Sequence, residues 1–225
     1  MRVLVLNCGS SSLKFQLIET SRQQIDGDAD RVLARGLVER IGSQDAKIGF
    51  QITGADKEET TAPVKDAAQA IAIAFDKLAG AGDLKEIEAV GHRFVHGGDL
   101  FSESVLIDDA TLKKIESLSP LAPLHNPHNL QGYYESRKAL PDAKQVAVFD
   151  TAFHQTLPAR AFLYGIPYEL YERDKVRKYG FHGTSYRYVS WRYAQLQKTT
   201  VDALKLIVCH LGNGCSLCAI DRGKS

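Results

Sequence analysis

The sequence predicts an α/β fold in two parts: a mixed sheet with covering helices over residues 1–150, and a second part, 151–225, in which the chain starts again. Strands are read over 2–7, 13–19, 31–40 and 46–53, with glycines 27, 42 and 54 near their ends. Ala67–Leu78 instead carries Ile71, Phe75 and Leu78 at spacings of four and three, and Gly80-Ala81-Gly82 ends that helix. The strand, small polar turn and strand of the opening return faintly at the other end as Leu206–Cys209, Leu211-Gly212-Asn213-Gly214 and Cys215–Ile220.

The remaining elements follow in order. In the opening hairpin, Leu13, Phe15 and Leu17 alternate with Lys14 and Gln16, which makes 13–19 the returning arm. Ile87–Val95 reads as a strand. Asp109–Leu118 reads as a helix opened by an aspartate cap, and Asn126–Leu140 as a further helix with Asn126 capping and Pro127 at its first position. Lys144–Phe149 supplies the sixth strand. Four strands, a helix, a strand, two helices and a strand make an α/β domain whose motifs stand at strand ends, where open α/β sheets bind ligands.

Composition narrows the function classes. The 225 residues carry a formal net charge of +1 and no Lys/Arg run, which argues against a general nucleic-acid binder. Mean hydropathy is −0.21, the apolar run after Arg2 covers only Val3–Leu6, and no stretch is long enough to span a bilayer, so the cytoplasm is the expected location and no membrane partner is expected. Four cysteines, at 8, 209, 215 and 218, are too few and too uneven for a disulfide framework. Cys215 and Cys218 form a C-x-x-C, yet in a strand an offset of three sends them to opposite faces, and no second pair completes a zinc site.

The chemistry gathers at turns. After Val3–Leu6 the chain must turn at Gly9-Ser10-Ser11-Ser12, where backbone N–H groups and hydroxyls present donors to an anion and Lys14 adds charge; an ordinary serine-rich hairpin loop is the alternative. Arg93, between His92 and His96 in Gly91–Gly98, offers forked donors to a carboxylate or phosphate, or else pairs with an acidic neighbour at the surface. The two histidines lie on a strand and read as structural. In Pro120–Asn129, Leu124 is placed to line a pocket and His125 to face a polar ligand, although helix capping alone explains much of the segment. Asp150, after a buried strand, suits Mg²⁺ or water positioning, with a cap on the Thr151 turn as the alternative. His182, between Gly180 and Gly183 ahead of a helical stretch, can join backbone donors around a phosphoryl group. The repeated turn then suggests two related domains with a nucleotide phosphate tail between them.

Asn7-Cys-Gly-Ser-Ser-Ser-Leu-Lys14, Gly91–Gly98, Ser119-Pro-Leu-Ala-Pro-Leu-His-Asn-Pro127 with His128, Phe149-Asp-Thr-Ala-Phe-His154, Tyr179–Ser185 and His210-Leu-Gly-Asn-Gly214 stand in this order, and together they resemble the acetate kinase family over the whole chain. Propionate kinases share nearly all of these motifs. The resemblance implies two duplicated ribonuclease-H-like domains of the acetate and sugar kinase, heat-shock chaperone and actin superfamily, with ATP in the cleft. It also implies Mg²⁺, a short acyl acid (acetate or propionate) with acetyl phosphate as product, and a homodimer for the full-length enzyme. It assigns Asn7 and Asp150 to Mg²⁺ and phosphate positioning, Ser10, Ser12 and Lys14 to the phosphate path, and Arg93 to the acyl carboxylate. Val95, Leu124 and Phe181 would form the methyl pocket, His182 would bond the transferring phosphoryl group, and His210, Asn213 and Gly214 would contact ATP phosphates. Asp150, His182 and Arg93 are thus the catalytic candidates.

Such kinases are nearly twice as long by resemblance. The expectation is therefore that these residues hold the first domain and an incomplete start of the second, without a second arginine, most of the adenosine pocket, a further Mg²⁺ carboxylate and a tail returning to the first domain, and that they are inactive alone. Two rivals differ in kind. Arg222-Gly223-Lys224-Ser225 mimics the end of a Walker loop, but Cys218 occupies the position of its first glycine. A chaperone-like ATPase or interaction module would keep the fold without needing Arg93 or the Val95 and Leu124 pocket.

Overall fold

The opening hairpin forms as its alternation dictates: β1 (Arg2–Cys8) pairs antiparallel with β2 (Ser12–Glu19), setting Asn7 opposite Lys14. The computed structural model describes residues 1–80, 82, 84–212 and 214–225. It divides into one unit of Met1–Phe94 with Val105–Val148 and another of Val95–Ser104 with Phe149–Ser225.

In the first unit a six-residue helix, α1 (Arg22–Gly27), interrupts the strands before β3 (Arg31–Glu39) and β4 (Ala46–Ile52) extend the sheet antiparallel. β5 (Glu58–Ala62) follows at the edge, a strand that period-two apolar patterning cannot reveal because its residues are Glu-Glu-Thr-Thr-Ala. Charge on such an edge discourages pairing with another chain, and Glu58 is tied to Lys77 of α2 (Ala67–Ala79). β6 (Ile87–Phe94) lies parallel beside β1, and the two-residue β7 (Val105–Leu106) pairs with β8 (Lys144–Phe149). The eight strands run β5-β4-β3-β2-β1-β6-β8-β7.

One face of this sheet is the core. Leu4, Leu6, Leu13, Phe15 and Leu17 are buried with Ile71, Phe75 and Leu78 of α2, the residues whose spacing marks that helix. Burial of each such side chain contributes about 1.5–3 kcal/mol, so in β2 the alternation of Leu13, Phe15 and Leu17 fixes which face is covered. α3 (Asp109–Ser117) is capped by the Asp108 side chain, which accepts the Thr111 N–H at 2.7 Å. α4 (Asn126–Ala139) corrects the expected cap. Asn126 is fully buried inside the first turn, and its N–H already bonds the Ala122 carbonyl at 2.9 Å, so His125 takes the cap position without a side-chain bond. Pro127 does stand in that first turn.

In the second unit the short α5 (Ala159–Phe162) and α6 (Glu169–Asp174) precede α7 (Gly183–Leu196), and β9 (Lys205–Leu211) pairs antiparallel with β10 (Cys215–Asp221). The inner face of this hairpin brings Cys218 and Ile220 onto Tyr186 of α7, with Phe153, Leu206 and Val208 around them. The outer face is apolar and bare: Ile207 is 76% exposed, Leu211 74% and Leu217 65%. Cys215 is exposed and Cys218 buried, on opposite faces as their spacing requires. No helix among the described residues is long and apolar enough to cross a membrane.

Candidate functional site

In the first unit the β1–β2 turn closes through the Gly9 N–H, which donates to the Ser12 carbonyl at 2.8 Å, while the Ile41 N–H holds the Ser11 carbonyl at 3.0 Å. Ser10 and Lys14 are exposed and Ser12 is half-buried. The strand register fixes the face: Asn7 pairs with Lys14, Val5 pairs with Gly91, and Arg93 lies two residues beyond Gly91, so Asn7, Lys14 and Arg93 leave the sheet on the side opposite the core. Arg93 Nη1 donates to the Asn7 side-chain oxygen at 3.1 Å. A groove of about 410 Å³ opens on the same face, lined among others by Val5, Asn7, Lys14 and Leu37. Leu124 is 73% exposed just ahead of α4 and does not line that groove.

The turn is anchored from behind by Asn129 of α4, whose Nδ2 donates to the Cys8 carbonyl at 2.5 Å. His92, adjacent to Arg93 in sequence but pointing to the other face, is structural as its place on the strand predicts. Its Nε2–H donates to the Gln145 side-chain oxygen at 2.7 Å, and burial lowers its pKa to about 4, so the ring is neutral.

The second unit holds Val95, Asp150, Phe181, His182, His210 and Gly214; Asn213 lies outside the described residues. Asp150 follows β8, is 2% exposed, and its carbonyl accepts the Gly183 N–H at 2.9 Å. The approach is so close that a Cβ on Gly183 would sit 2.3 Å from that carbonyl oxygen, which is why a glycine must open α7. His182, one residue earlier, is left-handed at φ 59° and takes the N-cap position without a side-chain bond to the helix. Its ring stacks on that of His210 with centroids 4.0 Å apart and planes 17° from parallel. His210 Nδ1 in turn meets Ser185 Oγ at 3.0 Å, and His182 Nδ1 meets Ser216 Oγ at 2.8 Å.

A cavity of about 530 Å³ runs past these groups, with Phe181, His182, Tyr186, Gly214 and Ser216 in its wall. Phe181 is partly exposed and packs its ring edge-on to the buried His96, 5.5 Å between centroids. Behind it, His154 Nε2–H donates to the Phe181 carbonyl at 3.0 Å. Burial lowers the His154 pKa against the raising effects of that carbonyl and of the Asp150 charge. The Gly97 N–H donates to Thr151 Oγ1 at 2.9 Å.

Ser216 and Tyr186 are neighbours of the candidate residue His182 that residue type alone does not mark. Ser216 is the register partner of His210, a pairing visible only once the hairpin offset is known. Tyr186 stands four residues after His182, one helical turn on, which is a usable signal.

Among the described residues no three of His, Cys, Asp and Glu stand together as a metal cage. Mg²⁺ carried on phosphates takes only one or two protein carboxylates and keeps its water and substrate ligands, and Asp150 is a buried carboxylate.

Comparison with known proteins fits this arrangement of motifs. An acetate kinase of Thermoanaerobacter pseudethanolicus is 50% identical over 230 aligned residues, covering 100% of this chain and 56% of its own, and one of Thermotoga maritima is 50% identical over 229, covering 100% and 55%. The chain thus spans about half the length of the curated relatives it matches. The crystal structure of Porphyromonas gingivalis acetate kinase superposes with a TM-score of 0.87 at 42% identity, covering 99% of this chain and 55% of that one. That of a Francisella tularensis propionate kinase gives 0.88, also at 42% identity and with the same coverage. The fold is accordingly the mixed α/β fold of the acetate and sugar kinase, chaperone and actin superfamily. A family model described as the acetokinase family matches residues 2–225, and the chain belongs to that family.

Proposed function

We propose that the protein carrying this chain is an acetate kinase, transferring a phosphoryl group reversibly between ATP and acetate. The observation that carries the reading is the Arg93 and Asn7 pair, a guanidinium held at the end of a buried strand beside a serine-rich turn. Its forked donors match the carboxylate of an acid substrate, which an ATPase without such a substrate does not have to bind. The names of the full-coverage relatives support it.

Acetate is already an anion at neutral pH, so the reaction needs no strong base; the barrier is bringing one anion to the γ-phosphate of another. Cationic donors and positioning therefore do the work. Arg93 is assigned to the acyl carboxylate, oriented by Asn7. Val95, Leu124 and Phe181 are assigned to the methyl group. Ser10, Ser12 and Lys14 are assigned to the phosphate path, His182 to the transferring phosphoryl group, and His210, Asn213 and Gly214 to ATP phosphates. Asp150 and Asn7 would position Mg²⁺, which supplies charge neutralisation between the anions when bound. Cytoplasmic location and a homodimer belong to the same proposal.

Propionate is the second acid to weigh, given the propionate kinase among the structural relatives. A bulky Val95 favours acetate, although one methylene is worth only about 1–3 kcal/mol. The test is acyl phosphate trapped as hydroxamate from ATP, Mg²⁺ and either acid, using the complete gene product. Acetyl hydroxamate formed faster than propionyl supports the assignment. ATP hydrolysis that proceeds without either acid and ignores Arg93→Ala would replace it with the ATPase reading.

A further inference from the structure

His182 is held by more than its place at the head of α7. Its Nδ1 lies 2.8 Å from Ser216 Oγ, and that same hydroxyl is in short contact with the Tyr186 hydroxyl. Tyr186 is 1% exposed and is fixed by the helix it belongs to, since its N–H donates to the His182 carbonyl at 3.1 Å. Ser216 comes from β10 and is fixed by pairing with His210. The imidazole is also clamped face-on by the His210 ring. The result is a hydroxyl chain, Tyr186 to Ser216 to His182, built from two elements and ending on one ring nitrogen.

The donor inventory sets the direction of that chain. A serine hydroxyl has one proton and can accept through its lone pairs. A phenol is the stronger donor of the two hydroxyls, so Tyr186 donates to Ser216, and the serine proton is left to point at His182 Nδ1. A ring nitrogen that accepts carries no proton, so in the neutral ring the proton resides on Nε2. Nε2 lies on the ring edge beside Gly214, where an added Cβ would come within 3.1 Å of Cε1 and 3.3 Å of Nε2, so a side chain at 214 would crowd the imidazole.

We propose that Ser216, backed by Tyr186, is a positioning residue that holds His182 as the neutral Nε2–H tautomer, with that N–H presented to an incoming phosphoryl oxygen. The assignment rests on the kinase reading for what Nε2 meets, but not for the tautomer itself. Ser216 touches no reacting atom in this scheme; it acts through the imidazole.

The test uses the complete gene product with ¹⁵N-labelled histidine, the His182 signals being identified by their loss in His182→Gln. The expected spectrum shows a protonated Nε2 and an accepting Nδ1. Ser216→Ala should mix the tautomers and lower kcat by about tenfold to a hundredfold while leaving the KM values for ATP and the acid within about twofold, as expected when an orienting partner of an imidazole is lost. Ser216→Thr keeps the hydroxyl and should restore both. Tyr186→Phe should give a smaller change in the same direction. A proton on Nδ1 in the unsubstituted protein, or a Ser216→Ala protein with unchanged nitrogen shifts and kcat, would overturn the proposal. A protein with the expected tautomer but no acyl-phosphate formation would instead overturn the kinase reading and leave the hydroxyl chain established.

Discussion

Arg93 Nη1 and the Asn7 side-chain oxygen, 3.1 Å apart, join residues 86 positions apart in the chain. They meet because β6 lies parallel beside β1, and register then puts both side chains on the face opposite the core. Removing the guanidinium should cost about 10²–10³-fold in kcat/KM for the acid, corresponding to roughly 3–4 kcal/mol of charge-assisted bonding. ATP binding should be unaffected. Steady-state hydroxamate assays beside nucleotide titration of Arg93→Ala separate the two; equal loss of both would remove Arg93 from the acid's site.

Acid should destabilise the first unit through His92. Its pKa is held near 4 by burial, against an ordinary value of 6.5, so the unfolded chain takes up the proton first as pH falls. The stabilisation is complete above about pH 6.5 and is lost progressively as pH drops through 4, amounting to about 3 kcal/mol. Urea midpoints measured from pH 7.5 to 4.5 should fall, and should fall less steeply in His92→Gln. In the second unit His96 and His154, both lowered by burial, act in the same direction.

Gly183→Ala should destabilise by about 1–3 kcal/mol, because the new methyl would stand 2.3 Å from a backbone oxygen that cannot swing away. The same displacement moves His182. Thermal unfolding together with the His182 nitrogen shifts would detect both effects, and an unchanged spectrum would mean that the Asp150 segment yields freely.

Asn129→Ala should cost about 1–3 kcal/mol by leaving the buried Cys8 carbonyl without its donor. Loss should extend to the turn it anchors. Hydrogen exchange at Gly9 and Ser11–Leu13, faster in the variant than in the parent, is the expected readout.

The outer face of β9 and β10 should make a polypeptide of these 225 residues bind hydrophobic dyes and self-associate, since Ile207, Leu211 and Leu217 share one solvent-facing side, with Leu217 opposite Cys209 between the other two. Replacing Ile207 and Leu217 with Thr keeps strand-compatible side chains while removing apolar area. Sedimentation at several concentrations should show less association for the double variant.

Period two and period 3.6 revealed the long strands and helices because each buries one face, and burial leaves its mark on every second or every third and fourth residue. β5, β7 and the short helices left no such mark: an edge strand of Glu and Thr is held by its neighbour's hydrogen bonds, and a two-residue strand has no period. The cap at α4 misled for a related reason, since Asn126 has a capper's chemistry but stands one residue inside a turn that the backbone had already begun.

Site residues divide the same way. Asn7, Lys14, Arg93, Asp150 and His182 stand out as candidates because turn glycines and strand ends flank them, and local chain geometry dictates both. Ser216 and Tyr186 do not, because a serine in a strand and a tyrosine in a helix are ordinary until two elements pack together. The sequence by itself determined the long elements, their buried faces and the family, all consequences of local patterning and of motif order. Only the tertiary structure decided which side chains share a hydrogen bond, because that depends on register and on contacts between residues far apart in the chain, where no local period reaches.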